Sequence, residues 1–108
     1  MTNTIRVGGI DYTVELVPKL AERHNLYGQV TFGDSHIRID DSLSLTRKNE
    51  AIIHELTHAI FFEAGYDDHE EEMVRRIASV LHQVLRDNDF GFVQVRDDGK
   101  DGDVDCRF

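Results

Sequence analysis

Residues 51–60 read AIIHELTHAI. Three ionisable side chains, His54, Glu55 and His58, stand within five positions of one another in an otherwise apolar run. On an α-helix, residues four apart share one face, about 6 Å apart along the axis. His54 and His58 can therefore aim two imidazoles at one ion, and zinc takes neutral imidazole nitrogen at about 2.0–2.1 Å in four-coordinate geometry. Glu55 follows the first histidine directly, so it projects beside such an ion rather than onto it, where it can take a proton from an attacking water. This chemistry requires a helix, and helix signals surround the segment. Ser44 or Thr46 is the expected N-cap, Gly65 suits the C′ stop, and Ile52, Ile53, Leu56, Ala59 and Ile60 recur at helical spacing.

Upstream, residues 4–17 (TIRVGGIDYTVELV) read as a strand, a tight turn at Gly8-Gly9 and a second strand ended by Pro18. Residues 19–27 (KLAERHNLY) suit a short helix or an irregular connection. In GQVTFGDSHIRIDDS, Val30 and Phe32 alternate, Gly33-Asp34-Ser35 is turn chemistry, and Ile37 and Ile39 alternate again, which predicts a β-hairpin at 29–40. Downstream, a second helix is expected to start near Asp67-Asp68-His69-Glu70 and end near Asp87-Asn88, with Met73, Val74, Ile77, Val80, Leu81, Val84 and Leu85 as its apolar positions. Phe92 to Val95 reads as a short strand. The expected class is α+β: N-terminal strands and hairpins, then two packed helices of which the first carries HELTH. One domain spans 1–95, followed by an acidic Gly/Asp-rich tail, 96–108, expected to be flexible.

Two histidines alone hold zinc weakly. The second helix opens with HEEEM, residues 69–73, and antiparallel packing across the short Gly65-Tyr66-Asp67-Asp68 connection would bring that first turn near the HELTH helix. A carboxylate from there would complete two His and one Glu with an open fourth position. Val74 and Ala78 put Glu71 on the buried stripe at i−3 and i−7, Glu70 is close behind and Glu72 projects further round, so the order of preference is Glu71, Glu70, Glu72.

The bulk numbers set limits. With 108 residues the chain has room for one domain. The net charge of −9 repels phosphate backbones and anionic membranes, so neither nucleic acid nor a membrane is an expected partner. No apolar stretch approaches ~20 residues, and the first residues lack a basic segment followed by an apolar one, so a cytoplasmic location is expected. The single cysteine, Cys106, cannot form an internal disulfide but is a conceivable fourth zinc ligand.

AIIHELTHAI also fits the general zinc-peptidase signature, with small Ala51 three before the first histidine, bulky Leu56 after the glutamate, uncharged Thr57, and apolar Ile60 two after the second histidine. HELTH is identical to the motif of the thermolysin family. The chain as a whole resembles a minimal gluzincin of phage or prophage type, distantly similar to the ImmA/IrrE-like metallopeptidases. The likeness runs through GQVTFGDSHIRIDDSLS, HELTHAIFFEAG and EEMVRRIASVLHQVLRDN, roughly residues 28 to 88. It implies a zincin-like domain with one zinc ion per chain on His54, His58 and Glu71, Glu55 as general base, and a peptide or protein substrate. Zincin substrates lie extended along an edge strand, for which residues 35–40, SHIRID, are the candidate. His36, Tyr66, His69 and His82 are candidates, by residue type, for an oxyanion partner. The competing readings are a zinc-binding adaptor module without catalysis, in which the metal staples two helices, and a small acidic interaction domain.

Overall fold

Gly8 and Gly9 adopt φ of 59° and 87°, a left-handed pair that most side chains avoid. They fold β1 (Thr2–Val7) back on β2 (Ile10–Val17) as an antiparallel hairpin in which Val7 faces Ile10. This is a computed structural model, and it describes residues 2–24 and 26–93. After β2 comes a short α1 (Leu20–His24), then β3 (Gly28–Thr31) and β4 (His36–Asp40), which pair antiparallel as the predicted second hairpin. The hairpins join through their later strands: β2 runs parallel to β4, with Val14 opposite Ile37 and Leu16 opposite Ile39. The sheet order is therefore β1-β2-β4-β3. This corrects one expectation. The SHIRID strand is β4, which lies inside the sheet, and the edges are β1 and β3.

Alternation along β2 and β4 turns Tyr12, Val14, Ile37 and Ile39 to one face, where all four are buried. The long helix α2 (Leu45–Glu63) covers that face with Ala51 and Ala59, flanked by Ile52 and Leu56. Ile60 is exposed, so the buried stripe of α2 ends at Ala59, one residue short of its expected end. Tyr12 ties the far end of α2 to the sheet by donating its hydroxyl to Glu63 Oε2 at 2.6 Å. Burial, and then the Glu63 carboxylate, push the tyrosine pKa up to about 12. The loop from β4 into α2 is held by Asp40, which is wholly buried. Its carboxylate accepts from Ala21 N at 2.7 Å and from Ser42 N and Oγ, both at 2.8 Å. The Ser42 backbone N–H is the largest influence keeping Asp40 below the usual carboxylate range, against the opposing effect of burial.

Ser44 caps α2, its Oγ accepting from Arg47 N at 3.3 Å. At the other end, Gly65 (φ 103°) closes a Schellman turn in which Tyr66 N donates to Phe61 O at 2.8 Å and Gly65 N to Phe62 O at 3.0 Å. The chain then enters α3 (Glu71–Asp87), which packs chiefly on α2. Of the seven apolar positions expected on α3, Val74 alone is buried, together with Ala78. Met73, Ile77 and Val80 form an exposed stripe at i, i+4 and i+7. The architecture is thus α+β: a four-stranded mixed sheet, then two packed helices, with α1 a minor helix before them. HELTH lies on α2, the first of the two long helices rather than the first in the chain. Of the strand expected at Phe92 to Val95, Phe92 and Val93 belong instead to a 3-10 turn, Gly91–Val93, and the remainder, like the tail at 96–108, lies outside the described residues. No helix among the described residues is long and apolar enough to cross a membrane.

Candidate metal centre

The α2 face away from the sheet carries His54 and His58, one helical turn apart, with ring centroids at 5.1 Å. The Schellman turn reverses the chain so that the first turn of α3 arrives over them. Glu71 reaches both histidines. Its Oε2 lies 2.7 Å from His54 Nε2 and its Oε1 lies 3.0 Å from His58 Nε2. The ligand atoms of these three residues lie within 4.8 Å of one another, and the cluster could hold a metal ion. Imidazole nitrogens with a carboxylate oxygen are donors that zinc accepts: with bonds of about 2.0–2.1 Å, a tetrahedral site spaces its donors about 3.3 Å apart, so the two histidine–carboxylate separations of 2.7 and 3.0 Å would open by only a few tenths of an ångström. Of the three glutamates weighed from the sequence, Glu71 alone takes this place. Glu70 is the N-terminal cap residue of α3. Glu72 is turned to Arg75 and Arg76 at 2.7 and 2.8 Å, and these guanidiniums hold its carboxyl below the ordinary range.

One residue that sequence reasoning placed by type alone has a definite position. His69 Nδ1 lies 2.7 Å from the Tyr66 carbonyl, and its Nε2 lies 2.9 Å from His58 Nδ1. A carbonyl can only accept, so His69 Nδ1 carries a hydrogen. In the neutral ring Nε2 is then an acceptor, and His58 Nδ1–H donates to it. The relay leaves His58 Nε2 bare, on the side of Glu71. Phe61 stacks against the His69 ring at 5.2 Å and helps fix its plane. Burial is the main influence lowering the His58 pKa; Glu71 opposes it, and His54 and His69 add to it, which favours the neutral ring at neutral pH. The sequence signal for this role was the proximity of His69 to the turn, but the relay depends on where the Tyr66 carbonyl points. Of the other oxyanion candidates, Tyr66 stays beside this relay, its ring edge-on to Phe61 at 6.0 Å, while His36 and His82 have other surroundings. His36 is 2.8 Å from Glu15 across the β2–β4 pair, Tyr66 is exposed, and His82 sits eleven residues, about 16 Å, along α3 from Glu71.

Glu55 projects from α2 toward β3. A Cβ built on Gly28 would stand 3.1 Å from Glu55 Cγ and 3.3 Å from its Oε2, so the absence of a side chain at position 28 is what lets the strand lie against this carboxylate. Burial, the dominant influence, pushes the Glu55 pKa up to about 7; His54 opposes the rise and Glu71 adds to it. A carboxyl tuned to that range can both take and return a proton near neutrality. Behind it, Thr57 is buried and uses its hydroxyl on Ile53 O at 2.7 Å, so the residue between the two histidines leaves no polar group unpaired. Cys106 lies outside the described residues. In comparisons with known families, characterised proteins and solved structures, the chain finds no match.

Proposed function

We propose that this chain is a zinc-dependent peptidase. The observation that carries the reading is the convergence of His54, His58 and Glu71 from two helices, with Glu55 beside them and held apart from the cluster by its own direction. His54, His58 and Glu71 would hold the metal, which when bound supplies a water activated near neutral pH and polarises a carbonyl. Glu55 accepts the proton of the attacking water and returns it to the leaving amine. His69 orients His58 through the Nδ1 bond, so that the bare Nε2 is presented to the ligand position without a search over ring flips. The substrate backbone runs along β3, the edge strand that contacts Glu55 through Gly28, and adds itself to the sheet there.

A second reading has its own support: zinc as a staple without turnover. The face between α2 and α3 buries little of α3 besides Val74 and Ala78, so a metal bridging the helices would supply what apolar burial does not. The two readings separate at Glu55. Tag-free protein is purified, its metal content measured by mass spectrometry, and the Glu55→Gln and Glu71→Gln variants compared with wild type on a mixed peptide library. The peptidase reading expects one zinc per chain, kept in Glu55→Gln with cleavage abolished, and weakened binding in Glu71→Gln. Bound zinc without any cleavage by wild type leaves the staple. No zinc in wild type even when it is offered sinks both.

A further inference from the structure

We propose that the groove between α2 and α3 beside His54 is a selecting subsite for a carboxylate of the substrate, an inference that deepens the peptidase reading and rests on it for the word substrate. The cavity measures about 570 Å³ and is bounded on one side by His54 itself. Ala51 and Ala78 keep it open by their smallness, Tyr27 closes one wall, and Arg47, Arg75 and Arg76 line it. Three of the chain's 12 basic residues thus meet in one groove of a molecule whose net charge is −9. Glu50 is the acid in that lining, and Arg47 Nη1 reaches it at 2.5 Å. Arg75 Nη2 and Arg76 Nε share the two oxygens of Glu72, at 2.7 and 2.8 Å. Two guanidiniums on one carboxylate leave this trio with one positive charge in excess, and the nearby acid Glu71 is turned to His54 and His58. Each of these bonds engages a single donor of a guanidinium that has five, so the geometry for a further bidentate carboxylate remains.

The apolar part of the groove matters as much as the charge. Arginine stems and alanines accept the methylenes of a substrate side chain, while the guanidiniums meet its end. Neutral and basic side chains gain the first contact and lack the second. The acidic remainder of the molecule repels an acidic peptide at long range, so selection is local and weakens with salt. The carboxylate belongs either to a glutamate or aspartate side chain or to the C-terminus of a peptide, and the two are separable by blocking the terminus.

The test measures binding rather than turnover. Short fluorescent peptides of one sequence are prepared with a central Glu or Gln, each with an amidated C-terminus, and the Gln peptide also with a free one. Their affinities are measured by anisotropy for the metal-free chain and for the zinc-loaded Glu55→Gln chain, because zinc alone would attract a carboxylate. The Glu peptide should bind roughly tenfold more tightly than its Gln counterpart to both forms, and the double variant Arg75→Gln/Arg76→Gln should erase the difference. A gain for the free C-terminus in place of the side chain keeps the carboxylate and assigns it to the terminus. Equal binding of all three peptides, or a preference that survives the double variant, overturns the proposal. Cleavage of neutral peptides by wild type without acid preference would remove the groove's role and leave the peptidase standing. Acid-selective binding with no cleavage of any peptide would do the reverse.

Discussion

Helix α2 has two unlike neighbours. Toward the sheet it presents Ala51, Ile52, Leu56 and Ala59, in one cluster with Tyr12, Val14, Ile37 and Ile39. Toward α3 it presents His54 and His58 and receives Glu71, with Val74 and Ala78 the buried side chains of α3 among the described residues. The first contact is apolar and indifferent to charge. The second is directional and made largely of groups that change protonation or bind ions. A helix anchored on one side by burial can afford chemistry on the other, and this division lets His54, Glu55 and His58 stay half-buried in a domain of modest core.

The sharpest way to break this comparison is to cut each side. Ile39→Ala removes wholly buried bulk from the apolar side and should cost about 2–5 kcal/mol of global stability in denaturant melts. Val74→Ala should cost less and act locally, with hydrogen exchange showing α3 amides released while sheet amides keep their protection. Equal loss of protection in both would mean the two contacts are a single cooperative unit. On the polar side, His69→Leu removes the acceptor for His58 Nδ1–H. If the cluster holds zinc as proposed, its affinity, measured against a competing chelator, should fall about 10- to 100-fold, and His69→Asp, which restores an acceptor, should recover most of it. An unchanged affinity in His69→Leu would show that His58 needs no orienting partner.

Gly28 joins the two sides, since a Cβ there would meet Ile39 Cδ1 at 3.0 Å and Glu55 Cγ at 3.1 Å. Gly28→Ala should therefore cost about 1–3 kcal/mol through overpacking and also shift the pH dependence of any turnover through Glu55; a variant as stable as wild type would show that β3 can move aside. The smallest effect is expected at Tyr12→Phe, about 1 kcal/mol from the lost bond to Glu63. Its pH signature is distinctive. Because the folded-state pKa is raised to about 12, the tyrosine's contribution is complete below the unfolded value of about 10 and is lost as pH rises through about 12. Melts across that window should show an alkaline limb in wild type that is shallower in Tyr12→Phe, and limbs of equal slope would assign the effect to other groups.

Much of this was legible in the sequence where the cause is local. Gly8-Gly9 and Gly33-Asp34-Ser35 announce both hairpins, Ser44 and Gly65 bound α2, and the stripe of Val74 and Ala78 points to Glu71 before any fold is known. What was not legible is non-local. Alternation in β2 and β4 says that both strands have a buried face but not that they pair with each other, so the pattern leaves β4 free to be an edge when β3 is one. The apolar pattern of α3 likewise says where a stripe lies but not whether anything covers it. Asp40 gives no periodic signal at all, because its three bonds come from the loop on one side and from α1 on the other.

The stripe of Met73, Ile77 and Val80 has a colloidal consequence. Exposed apolar faces make molecules adhere, and at neutral pH a net charge of −9 opposes that by mutual repulsion between copies. The repulsion vanishes at the isoelectric point, near pH 4.9, while the stripe is unchanged. Solubility should therefore pass through a minimum there, and added salt should deepen adhesion at neutral pH by screening the charge. The surplus of acids scattered through this chain thus acts as a dispersant for the face of α3 that no described residue conceals.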